Sequence, residues 1–127
     1  MTGKKPVRRW APDDLHHLAG LRELEITAPT SGGRPGPWRP IWVVVVGEQV
    51  YVRTWQRRDT GWYGRAIATG RARIRVSGEA ADVSVTVTGH ADADAIDTAY
   101  RAKYGAGGRS MATAEAAAST LRLTRMF

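Results

Sequence analysis

The sequence has no cysteine, which removes disulfides, thiolate metal sites and thiol nucleophiles at once. It also lacks a long apolar stretch: the unbroken run at residues 41–46 falls far below the roughly 20 residues that a membrane-spanning helix needs. The opening MTGKKPVRRW is basic but no apolar segment follows it, so a soluble, cytoplasmic protein is the expectation. Acidic residues are scarce, with twelve Asp and Glu against nineteen Lys and Arg. The resulting net charge of +7 favours anionic partners, and it does not separate nucleic acid from a phosphorylated cofactor or from plain solubility. His16 and His17 are neighbours on an expected helix and point about 100° apart, His90 is distant, and no carboxylate is spaced to complete a metal set. Ser/His/Asp spacing, convincing paired carboxylates and a zinc signature are also missing, so catalysis without a cofactor has no visible machinery.

What is present centres on residues 40–65, PIWVVVVGEQVYVRTWQRRDTGWYGR. The run 41–46 consists of apolar β-formers, Gly47-Glu48 is a turn signal, and Val50 and Val52 then alternate with Tyr51 and Arg53, which predicts a hairpin. The first strand has no polar face. Both its sides should therefore be covered, as in a central strand or one shared between a barrel interior and a partner subunit. Past the second strand, Arg53, Thr54, Trp55, Arg57, Arg58 and Arg65 gather donors and a ring around one loop, a set suited to an anion with a flat apolar head. A helix over 62–69, closed by Gly70, would aim its free N–H groups at the same loop. Trp62, Ala66 and Ile67 serve equally well as core residues of that helix.

The remaining chain supplies the frame. With 127 residues it is long enough for one domain and one core. Residues 1–9 read as a mobile basic arm and 10–127 as the folded domain. Pro12, Asp13 and Asp14 suit the first turn of a short helix with Leu15, Leu18 and Leu21 on one side. Residues 23–28 alternate as a strand, and the glycine- and proline-rich segment 29–37 is a loop that lacks phosphate-loop spacing. In 71–76 and 82–88, Ala72, Ile74, Val76, Val83, Val85 and Val87 point inward, with Arg71, Arg73 and Arg75 outward as a solvated face or a nucleic-acid track. A helix over 89–104 packs through Ile96, Tyr100 and Lys103 or Tyr104, with Asp97 and Arg101 as an i,i+4 pair. A turn of helix near 112–118 and a last strand holding Leu121 and Leu123 complete it. About six short strands without regular helix alternation give a mostly β fold, a small antiparallel barrel with peripheral helices.

WAPDDL, PIWVVVV, VYVRTW, WYGRA, YRAKYG and the terminal TLRL together resemble a small bacterial family of unknown function, over nearly the whole chain. That family is similar in turn to the pyridoxamine-phosphate-oxidase-like, FMN-binding split barrels, here over residues 40–76. The resemblance implies a six-stranded split barrel and a homodimer with cofactor sites at the subunit interface. It also implies flavin- or deazaflavin-dependent oxidoreductase chemistry on an unidentified small molecule. Carried over by position, Thr54 would be a hydroxyl donor to phosphate or ring, Arg65 the charge partner of the phosphate, and Trp42 or Val43 a wall of the ring site, with Arg53 and Trp55 beside them. Pro40 stands where the oxidases place a basic residue, with Arg39 adjacent, and their Ser-x-Lys phosphate pattern is absent. FMN, a deazaflavin or no cofactor is compatible with the same barrel, the last as a cofactor-free dimeric interaction or small-ligand module.

Overall fold

The computed structural model describes residues 10–30, 32, 34, 36–54, 61–76 and 78–126; the basic arm expected at 1–9 lies outside them. Seven strands form one antiparallel sheet: β1 (Leu24–Thr27), β2 (Arg39–Ile41), β3 (Val43–Val46), β4 (Gln49–Val52), β5 (Arg71–Val76), β6 (Glu79–Val87) and β7 (Leu121–Arg125). Their order across the sheet is β2-β1-β5-β6-β7-β4-β3. The two outermost strands are thus consecutive in the chain, separated by Trp42 alone, so the sheet rolls into a barrel whose seam is a covalent bend.

That bend accounts for seven strands where six were expected. Residues 41–46 read as one strand, and the structure splits them: Ile41 pairs with Leu24 of β1, while Val43 pairs with Val52 of β4. A row of β-branched residues specifies extended backbone without specifying which neighbour each part pairs with. Gly47, in the left-handed region at φ 61°, then makes the tight turn that brings Gln49 opposite Val46.

The barrel interior holds Leu24, Ile26, Val43, Val50, Val52, Ile74, Val83, Leu121 and Leu123 in one cluster. Helix α1 (Pro12–Gly20) adds Leu18, and α2 (Gly61–Thr69) adds Tyr63 and Ala66. Asp14, early in α1, accepts from the Ala11 N–H at 3.3 Å and pairs with Arg125 at 2.6 Å, which ties the helix to the end of β7. On the outer side of β3 and β4 a second cluster joins Val44 and Tyr51 to Ile96 and Tyr100 of α3 (Ala93–Tyr104), to Met111 and to Ala116 of α4 (Ala114–Ala118). Successive strand residues face opposite ways. The apolar run 41–46 therefore serves two cores of its own chain, and α3 packs on its outer side.

Two expectations change. Val87, placed inward by alternation, is 52% exposed at the end of β6, although its register partner Leu121 is buried in the core. Asp97 engages Arg53 across the interface rather than serving an i,i+4 pair with Arg101, since tertiary packing brings a buried guanidinium to its carboxylate. Among the described residues no helix is long and apolar enough to cross a membrane.

The seam is held by the last turn of α3. The Tyr104 hydroxyl accepts from the Val43 N–H at 3.1 Å and donates to the Arg22 carbonyl at 2.6 Å. The Lys103 ammonium donates to the carbonyls of Val43 at 2.6 Å and Leu18 at 3.0 Å. The Trp42 ring stacks on Tyr104, 4.1 Å between centroids and 3° from parallel. Side chains thus bond the backbone groups of an edge strand that would otherwise be open to another chain. Removing the hydroxyl alone, in Tyr104→Phe, is expected to lower the unfolding free energy by about 1–2 kcal/mol by leaving the Val43 N–H without its partner. Chemical denaturation checks this, and an unchanged midpoint would show that water replaces the hydroxyl.

Candidate functional site

A cleft of about 850 Å³ opens where the seam, the end of β4 and the start of α2 meet. Its volume lies in the range of small-molecule and cofactor sites. Trp42 and Trp62 contribute aromatic surface, Ile41, Pro37, Pro40 and Met111 apolar surface, and Arg39, Arg65, Thr54 and Glu23 the principal polar side chains. Gly61 and Trp62 set the first turn of α2 on the cleft. Such a turn carries N–H groups without intrahelical partners and the positive end of the helix dipole. The arrangement joins a flat apolar surface to a zone suited to an anion.

Sequence reasoning located part of this. Trp42, Thr54 and Arg65 all line the cleft. Trp42 is half-buried, with one face on Tyr104 and an edge packed where a side chain on Gly107 would come within 3.2 Å of the ring. The Thr54 N–H donates to the Ser119 hydroxyl at 2.9 Å, fixing the chain just past β4. Arg65 Nε donates to the Ala28 carbonyl at 3.3 Å. Trp55, with Arg57 and Arg58, lies outside the described residues.

Val43 and Arg53, read as neighbours of a ligand, are both buried. Val43 is wholly buried inside the barrel, because it follows Trp42 on an extended chain and faces the opposite way. Arg53 abuts the cleft but has no exposed surface. Its Nη1 donates to Asp97 of α3 and, at 2.6 Å, to the Met111 carbonyl, and its Nε donates to the Thr120 hydroxyl at 2.8 Å. The guanidinium lies 5.6 Å from the centre of the Tyr100 ring. The bond to the Met111 carbonyl ties the 3₁₀ turn Gly105–Met111, which carries the cleft residues Ser110 and Met111, to the end of β4. Arg53 therefore builds the wall of the cleft from beneath its surface.

Arg39, Glu23, Trp62 and Ser110 are among the cleft residues that the sequence did not single out as site residues. Arg39 carried a weak signal as the base next to Pro40. Glu23 and Ser110 had none, since they arrive from separate elements. Among the described residues no cluster of His, Cys, Asp and Glu could hold a metal ion, and His16, His17 and His90 are exposed on the surface. The outward arginine row is largely matched by acids: Arg73 pairs with Asp82 and Arg75 with Glu25, each at 2.9 Å, and Arg75 lies 4.2 Å from the Trp38 ring centre. The Arg75 hydrogen bond holds the Glu25 carboxyl below its ordinary range.

At the seam, burial draws Lys103 down from 10.5 to about 8, because two carbonyls replace only part of the water it gives up. Burial also raises the Tyr104 hydroxyl. Buried Tyr100 is raised as well, with the Arg53 charge opposing the shift in part.

A small antiparallel barrel closed through a single bent residue, with an aromatic, cation-lined cleft at the bend, has the architecture of the split barrels. The chain belongs to the bacterial family described as "Uncharacterized protein conserved in bacteria (DUF2255)", which matches residues 14–123. Its structure is similar to that of the conserved hypothetical protein Rv2991 from Mycobacterium tuberculosis, with a TM-score of 0.62 and 9% identity over 95% of this chain and 83% of that one. It is also similar to an FAD-binding protein, mll6688, from Mesorhizobium loti, with a TM-score of 0.50 and 12% identity over 95% of this chain and 92% of that one. At these identities the likeness shows the fold. No curated protein matches the chain in sequence.

Two outcomes follow from the buried charges. Asp97→Ala leaves the Arg53 guanidinium buried without its counter-charge and is expected to cost about 3 kcal/mol in urea denaturation; a loss below about 1 kcal/mol would mean that water or a rearranged carbonyl takes its place. Between pH 8 and 10.5 the unfolded chain holds the Lys103 proton more tightly than the folded one, so stability should rise with pH across that window. The rise should be smaller in Lys103→Met, and parallel curves for the two proteins would refute the assignment.

Proposed function

We propose that the cleft binds a flavin, FMN first and a deazaflavin second, and that the protein works in the cytoplasm as an oxidoreductase on a small molecule. The observation that carries this reading is the convergence in one cleft of two tryptophans with Arg39, Arg65, Thr54 and the first turn of α2. Aromatic and apolar surface suits a flat ring system, and guanidinium, hydroxyl and helix N-terminal N–H groups are the donors that a phosphate takes. The donor set thus fits the group. The FAD-binding function of the Mesorhizobium loti protein with a similar fold supports the reading.

When bound, the flavin supplies hydride or electron transfer. The chain's own contribution is positional. Trp42, braced by Tyr104, would border the ring; Arg65 and α2 would hold the phosphate; Arg39 and Glu23 would orient the polar edge of whatever enters beside it. A homodimer belongs to the same proposal, and the exposed apolar side chains Ile67 and Val87 offer surface for it. A single monomeric species in sedimentation would remove that part.

Titration with FMN and with a deazaflavin should quench the ligand's fluorescence at micromolar concentration. Arg65→Ala should weaken binding by about 2 kcal/mol, the loss of one charge-assisted contact. If neither compound binds, the flavin reading fails and the cofactor-free binding module takes its place.

A further inference from the structure

We infer that Gly36 is the seat of Arg65, a positioning residue that fixes where the cleft presents its guanidinium to an anionic ligand. The inference rests on the reading of the cleft as a site for a phosphate-bearing flavin. The glycine-rich loop at 29–37 lacks the spacing of a phosphate loop, and the structure offers another use for its third glycine. A Cβ on Gly36 would stand 2.5 Å from Arg65 Nη2, 3.3 Å from Arg65 Cζ and 3.2 Å from the Ala28 carbonyl oxygen. The loop backbone therefore lies against the guanidinium on one side, while the Ala28 carbonyl takes its Nε on another. Pro37, the next residue, lines the cleft together with Arg65.

The requirement at this position is for space. Among the described residues the glycines with positive φ are Gly47, Gly61, Gly70, Gly78, Gly89 and Gly105, so Gly36 is outside the left-handed region that favours glycine. Of the atoms that an added methyl would meet, the Ala28 oxygen belongs to the backbone just past β1 and is the milder contact, whereas Nη2, at the closest approach, is the far end of a flexible side chain. The methyl group would displace the guanidinium, with the backbone at Ala28 giving by a few tenths of an ångström. Held by Gly36 and Ala28, Arg65 occupies one position, the condition for directional charge-assisted bonds to phosphate oxygens.

Gly36→Ala, Arg65→Ala and the double variant test this by FMN titration and thermal melting. The expected result is that Gly36→Ala weakens FMN binding at least fivefold while its melting temperature stays within a few degrees of wild type. The double variant should bind no more weakly than Arg65→Ala, because the glycine acts only through the arginine. Wild-type affinity in Gly36→Ala, or losses that multiply in the double variant, would overturn the inference with flavin binding intact. If FMN does not bind even the wild-type protein, the flavin reading falls and the seat is judged on the guanidinium itself. In ¹⁵N-arginine-labelled protein, slow solvent exchange of the Arg65 Nε–H should be lost in Gly36→Ala, and equal protection in both proteins would overturn the inference.

Discussion

The structure depends on how one apolar stretch is bent and held. Residues on either side of Trp42 pair with opposite ends of the strand order, so the barrel closes only if the backbone turns there and stays turned. Val43, the first residue past the bend, would leave an N–H and a carbonyl at an open edge; Tyr104 and Lys103 bond both from the last turn of α3. Burying such groups without partners costs roughly as much as a hydrogen bond each, so the helix end and the seam stabilise one another. The cleft is a consequence of this closure. Trp42 cannot continue either strand, and its ring lies between Tyr104 and the open space beside β4.

A second constraint sets the opposite wall. The Arg53 guanidinium has no exposed surface, and Asp97, Thr120 and the Met111 carbonyl bond it in place of solvent. A buried pair of this kind contributes little net stability compared with apolar packing, yet either partner left alone is strongly unfavourable. Its effect is therefore to fix geometry: β4, α3 and the 3₁₀ turn must arrive together. Among the described residues, two further cations that line the cleft, Arg39 and Arg65, are separate from this buried charge and come from β2 and α2. The buried charge and the solvent-accessible cleft charges thus come from different elements, and of the neighbours Arg53 and Thr54 the first is wholly buried and the second partly exposed.

Much of the fold was legible because its signals are local. Alternation in residues 71–76 placed Ala72 and Ile74 inside, and Pro12 with two aspartates marked the start of α1. Gly47 and Gly70 marked a turn and a helix end, both through positive φ. Where the reading departed, a neighbour distant in sequence decided the outcome. Asp97 is four residues from Arg101 and 44 from Arg53, and packing chose the distant partner. The cleft was half-legible for the same reason: Trp42, Thr54 and Arg65 flank one hairpin and the helix after it, whereas Glu23 and Ser110 come from elements far apart in sequence.

The sequence by itself determined the secondary elements, the apolar inner face of the barrel and the cluster of donors after the hairpin, because periodicity, turn residues and charge act within a few residues of one another. Tertiary structure decided where the long strand breaks, which arginine is buried and which faces the cleft, and what covers the outer side of residues 43–46. Those outcomes depend on which surfaces meet. A strand's pattern fixes which residues share a face, and only the assembled barrel and its helices fix what each face touches.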